Sequence, residues 1–176
     1  MGPVVDLQEV ADALSSMSDE LRWFVDRQTG KVILIMPGDL RAVEEEDEED
    51  ESEDPEDDEL SDARNLFLDP QRFEELPDKF EVNDWEIMRE FCESVRSESK
   101  RERLLNAIHG RGAFRYFKDL AEQYHLLEDW YAFQENAHFD IAREWCEENG
   151  LEYTEKNRRV RTGNKRTRTG SADRKP

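Results

Sequence analysis

Fourteen of the sixteen residues from Glu44 to Glu59 are acidic, broken only by Ser52 and Pro55. A run with this charge density and almost no apolar side chains cannot bury enough surface to offset the entropy of ordering it. The chain must therefore fold around a disordered acidic linker, expected over residues 41–62. A second segment has the opposite sign. Lys156 to Pro176 holds nine basic residues and one acid, and a basic disordered tail is expected over 154–176. About 140 residues remain, enough for a single domain with a real core.

The whole chain carries a net charge of −20. Taking away the −14 of the acidic run and the +8 of the tail leaves −14 on the part expected to fold. Such a body repels nucleic acid and anionic membrane unless a local basic patch overrides it. With 7 Lys against 18 Arg, the acidity also fits a saline cytoplasm, where it serves solubility. No basic stretch followed by an apolar one marks a signal peptide, and no apolar run approaches a membrane span. A soluble, cytoplasmic protein with no membrane contact is expected. Cys92 and Cys146 sit in helix-like patterns and are expected to be reduced, buried small hydrophobes.

Residues 5–17 place Leu7, Val10, Ala11, Leu14 and Met17 at helical spacing, with Asp6 as the cap. Leu21–Val25 and Lys31–Met36 are short and apolar. Between them Asp26-Arg27-Gln28-Thr29-Gly30 has turn chemistry, with Gly30 free to take positive φ. This predicts a helix followed by a β-hairpin, within residues 1–40. Two strands alone are marginal in water, so the hairpin must pack on helices or join another sheet. Leu66, Phe67, Leu68 and Phe73, interrupted by Asp69-Pro70, suggest short helical pieces that dock on the body or form a lid. From 63 to 153 the pattern is helical. Asn83 and Glu86 resemble a capping box before the stripe Trp85, Met88, Phe91, Cys92 and Val95. Ser97 or Ser99 caps a helix with Leu104, Leu105 and Ile108. Gly110 and Gly112 break it, and the next helix carries Phe114, Phe117, Leu120, Ala121 and Tyr124. Asp129 is expected to cap a last helix with Trp130, Phe133, Ala137, Ile141 and Trp145, which stops at Gly150. The fold class is α+β: an N-terminal helix and hairpin packed with a C-terminal helical bundle, in one domain.

The segment His109-Gly110-Arg111-Gly112-Ala113-Phe114-Arg115-Tyr116-Phe117-Lys118-Asp119 is the candidate site. Arg111, Arg115 and Lys118 recur at spacings of four and three, so they share a helical face able to grip an anion, with backbone amides after Gly112 assisting. The competing reading makes the glycines an interhelix turn, sends Phe114 and Phe117 into the core, and pairs the cations with nearby acids. Trp85, Trp130, Tyr131, Phe133 and Trp145 form either a base-stacking platform or core; Tyr131 lies off the Trp130–Phe133 stripe and is the one expected at the surface. His109, His125 and His138 lack zinc-motif spacing, and no cofactor or metal is expected. No nucleophile elbow is present, so the chain reads as a non-enzyme. In the tail, Arg158, Arg159, Arg161, Lys165, Arg166 and Arg168 suit salt-sensitive contact with nucleic-acid phosphates. They equally suit a solubilising tail, or one that folds back on the acidic run of its own chain.

Six phrases together resemble a known family. They are Phe24-Val25-Asp26-Arg27-Gln28-Thr29-Gly30-Lys31-Val32, Leu76-Pro77-Asp78-Lys79-Phe80, Met88-Arg89-Glu90-Phe91-Cys92, the 109–119 segment, Asp129-Trp130-Tyr131-Ala132-Phe133 and Glu144-Trp145-Cys146-Glu147-Glu148-Asn149-Gly150. Over residues 5–37 and 76–151 the chain is similar to the bacterial uncharacterised protein family (UPF) one-five-eight, with the acidic run and the tail outside the match. The resemblance implies a small bacterial cytosolic protein with no assigned catalytic residues. The function expected is that of a binding protein engaging a protein or nucleic acid through its helical body, with the tail adding contact. The alternative is an interaction scaffold whose charged segments serve solubility, and an enzyme of unknown reaction comes third.

Overall fold

Asp6 caps the first helix as expected: its carboxylate accepts from the Gln8 amide at the start of α1, Leu7–Ser15. The computed structural model describes residues 2–18, 20–45 and 60–159. The disorder expected of the acidic run and of the basic tail falls mostly on residues outside this set. The mixed helix-and-sheet architecture is the expected α+β class. The described residues divide into two compact units, one drawn from residues up to Ile87 together with Glu135–Arg159, the other from Met88–Gln134.

In the first unit the hairpin forms from β2, Arg22–Asp26, and β3, Val32–Ile35, with Gly30 at φ 77°. Glycine is required there twice over. Besides the positive φ, a β-carbon at Gly30 would lie 2.8 Å from the Val4 carbonyl oxygen. A third strand, Phe73–Glu75, pairs antiparallel with β2, giving the order β3-β2-β4. This strand corrects the purely helical reading of residues 66–73. The helical part of that reading does form, as α3, Ser61–Leu68, and a tight 3₁₀ turn at Pro70–Arg72.

The acidic linker is also shorter than its expected bounds. Pro37–Glu45 is a helix, α2, because Leu40 and Val43 share a side that packs with Phe24, Ile33, Ile35, Ala63 and Phe73. Leu60 and Leu66 join the same cluster. Thus the elements on both sides of the acidic run cover the same sheet.

The turn of the hairpin is fastened to β4 by charge. Arg72 donates to both Asp26 carboxylate oxygens, at 2.8 and 2.5 Å. Asp26 also accepts from the Gln28 amide and the Thr29 hydroxyl, each at 2.8 Å. The Arg27 amide donates to the Arg72 carbonyl at 2.8 Å. Arg22 and Glu75 form a second two-pronged pair on the adjoining strands.

A further strand pair was missed altogether. Val4–Asp6, β1, runs parallel to β5, Glu152–Thr154. The basic tail therefore does not begin at 154. Beyond β5 the Asn157 amide reaches the Asp6 carboxylate, and the Arg159 amide donates to Gln8 Oε1 at 2.7 Å. Arg159 also pairs with Asp12, while Arg158 lies 4.4 Å over the Phe139 ring and donates to Asn136. Two residues expected in a free arm are thus body anchors.

Helices dominate the rest. α4, Lys79–Val82, carries the reciprocal capping box at Asp78 and Glu81, not at Asn83. Asn83 is left-handed at the end of α4, though its side chain accepts from the Glu86 amide. α5, Asp84–Ser94, buries Met88, Phe91 and Cys92, but Trp85 is 37% exposed. α6 is Glu98–Ala107, with Ser97 in the cap position and no side-chain cap bond. α7 is Ala113–Gln123, and α8 is Leu127–Glu148. Asp129 lies inside the first turn of α8. Its expected capping role fails because the left-handed residue His125, not a later break, ends α7. The Leu126 amide closes that end on the Ala121 carbonyl, as Leu151 does on Cys146 after Gly150.

Within the second unit Phe91, Phe117 and Trp130 meet edge-on, with centroids 4.9 to 5.9 Å apart, and Phe133 adds a fourth ring at 5.5 Å from Phe91. In the second half of α8 the buried stripe runs through His138, Phe139, Ala142, Trp145 and Cys146.

Arg72 holds the Asp26 carboxyl down, from an ordinary 3.8 to about 2. A carboxylate depressed by folding stabilises fully above its unfolded pKa and loses that contribution as pH falls through the folded one. The expected outcome is a loss of about 2 kcal/mol between about pH 4 and pH 2, absent in Asp26→Asn. Urea unfolding of both proteins across that range checks it.

Candidate anion-binding face on two helices

Between Lys100 and Lys118 the local charge reverses against the rest of the chain. Six cations (Lys100, Arg101, Arg103, Arg111, Arg115 and Lys118) accompany one acid, Glu102. Three lie on α6, two on α7, and Arg111 lies in the turn between them, where Gly110 and Gly112 both take positive φ. α6 and α7 pack against each other. Whereas the chain as a whole is strongly acidic, residues 88–134 hold eight cations and eight acids.

The structure separates the two readings of the 109–119 segment. Its glycines do form an interhelix turn, and Phe117 is buried as that reading requires. Phe114 is not in the core; it is 41% exposed, and Tyr116 is 61% exposed. Nor do the cations pair with nearby acids. Among the described residues Arg111 and Arg115 make no ion pair or side-chain hydrogen bond. Lys118 sits 5.9 Å over the half-buried ring of Tyr131, and these are the two expected site residues that the structure joins. Gly112 opens α7 at φ 81°, and a β-carbon there would stand 3.5 Å from the Tyr116 ring, so the turn backs that aromatic.

α6 and α7 also form a shallow, open groove of about 490 Å³. Arg103 and Asn106 line it from α6, and Tyr116, Asp119, Leu120 and Gln123 from α7. Tyr116 and Asp119 fall within the 109–119 segment and Leu120 on its helix stripe, whereas Arg103, Asn106 and Gln123 were not singled out from the sequence. The signal for them was present in the clustering of cations over 100–118, which is diluted when charge is counted over the whole body.

The remaining expected residues fall elsewhere. Trp130 and Trp145 are buried, so they make core and not a platform. Arg158 and Arg159 are the anchors described above. Arg161, Lys165, Arg166 and Arg168 lie outside the described residues. His138 is 2% exposed and bonds Asp84 at 3.0 Å through Nε2. Among the described residues no group of three or more His, Cys, Asp or Glu is placed to hold a metal ion. No helix among them is long and apolar enough to cross a membrane.

A family model described as "Uncharacterised protein family (UPF0158)" matches residues 1–164. The chain belongs to this family. The UPF0158 match spans the acidic run and reaches past Arg159, whereas the resemblance carried by the six phrases leaves the acidic run and the tail outside. A UPF0158 protein of Pseudomonas aeruginosa is 28% identical over 149 residues, 84% of this chain and 84% of that one. No solved structure matches.

Cys92 and Cys146 are each buried and not disulfide-bonded. Burial pushes the Cys92 thiol up to about 12 and the Cys146 thiol up to about 11. Since thiolate is the reactive form, neither thiol should react with an aromatic disulfide reagent in the native protein at pH 8, and both should react in denaturant. Fast labelling of the native protein would contradict that placement.

Proposed function

We propose that this UPF0158 chain is a non-enzymatic binding protein that engages nucleic-acid phosphates through the α6–α7 face. The observation that carries this reading is the pair of exposed, unpaired guanidiniums of Arg111 and Arg115 beside exposed aromatics, in a chain of net charge −20. By contrast Arg22, Arg27, Arg72 and Arg143 are neutralised at short range. Cations left without partners in an acidic body are available to an external anion, and they attract it at long range. The cations beyond Arg159 supply a second set of phosphate contacts.

A scaffold reading, with the charged segments serving solubility alone, predicts no polyanion binding. The test is a salt titration of RNA and DNA binding. Three proteins are compared: the full chain, a chain ending at Arg159, and the full chain with Arg111→Glu and Arg115→Glu. A cut at Arg159 preserves β5 and the Arg158 and Arg159 anchors, so it removes charge without opening the fold. The double substitution should lower affinity on the order of tenfold or more and reduce the salt slope by roughly two. The shortened chain should keep measurable, weaker binding. No binding by the full chain at low salt would overturn the reading.

A further inference from the structure

We propose that the groove between α6 and α7 seats an unpaired nucleobase, so that the ligand class is single-stranded nucleic acid. This rests on the reading of the α6–α7 face as a phosphate-binding surface, and it adds how that surface distinguishes a single strand from a duplex.

Three features meet in the groove. Tyr116 offers a largely exposed ring, beside the position a β-carbon at Gly112 would occupy. Every base has a π-face, so one aromatic platform accepts any of them, provided the base is out of its duplex stack. Asn106 and Gln123 line the same groove with carboxamides, each offering a donor beside an acceptor, which is the pattern of a base edge. Asp119 adds an acceptor for a base amino or imino group, and it would repel a phosphate placed in the groove itself. Among the described residues none of Arg103, Asn106, Asp119 and Gln123 spends its side chain on an ion pair or hydrogen bond.

The spacing of the lining residues follows the two helices. Tyr116, Leu120 and Gln123 recur at four and three along α7, and Arg103 and Asn106 at three along α6, so the two helices face the groove with matched sides. Arg103 lies within it, while Arg111 and Arg115 belong to the turn and the first turn of α7 beside Tyr116. A base in the groove thus has Arg103 beside it for a flanking phosphate.

The experiment measures binding of the full chain to a fluorescent single-stranded oligonucleotide, the matching duplex, and adenosine monophosphate. Wild type, Tyr116→Ala, Tyr116→Phe and Asn106→Ala with Gln123→Ala are compared, each checked for native unfolding temperature. Tyr116 is exposed, so its truncation should leave the fold intact. Expected is a loss of about tenfold on the single strand for Tyr116→Ala, restoration by Tyr116→Phe, and no change on the duplex. Binding of the mononucleotide as tightly as the oligonucleotide would overturn the strand assignment in favour of a free nucleotide. Single-strand affinity unchanged in folded Tyr116→Ala would overturn the base site. If Arg111→Glu with Arg115→Glu still weakens binding in that case, the phosphate-binding face stands without it. No binding of any of the three probes would remove both.

Discussion

The carboxylate of Asp26 is the point on which the first unit turns. A two-stranded hairpin is marginal in water, and the segment that completes it comes from beyond a run of fourteen acids. Arg72 closes that gap by gripping both oxygens of Asp26, while the same carboxylate orders its own turn through Gln28 and Thr29. Once Arg72 is docked, Phe73 pairs opposite Asp26 and enters the cluster with Phe24, Ile33 and Ile35. The helices on both sides of the acidic run then share one apolar face. A charge pair of low exposure sets the register, and hydrophobic burial supplies the driving force behind it.

Local signals in the sequence were strongest where chemistry and periodicity agreed. Asp6, Gly30 and Gly150 were legible because each has one backbone role that its residue type suits. The strands Val4–Asp6 and Phe73–Glu75 were not legible. Each is three residues long, too short to show alternation, and each exists only because a distant partner supplies its hydrogen bonds. α2 was hidden by the acids that follow it; Leu40 and Val43 alone carry its buried side. Asp129 misled for another reason. It is a good cap by type, yet His125 takes the left-handed conformation four residues earlier and decides where α8 begins.

The candidate site was legible in part. Spacing placed Arg111, Arg115 and Lys118 near one another and set Tyr131 apart from its stripe, and Lys118 does lie over Tyr131. What periodicity could not decide was the fate of Phe114, which suits either side of the boundary between core and surface, and of Tyr116, which carries no signal of exposure. Arg158 and Arg159 were misassigned because a basic composition looks alike whether its charges are free or spent. Here they are spent, on Phe139, Asn136, Asp12 and Gln8. Availability of charge, more than its amount, separates Arg103, Arg111 and Arg115 from paired arginines such as Arg22, Arg27, Arg72 and Arg143.

The most direct measurement of that claim is a map of backbone amide chemical shifts in the full chain as a single-stranded oligonucleotide is added. The largest changes are expected over residues 98–123, centred on Arg115 and Tyr116, with smaller ones beyond Arg159. Changes confined to residues 160–176, with 98–123 unmoved, would contradict the account and leave the helical face without a ligand.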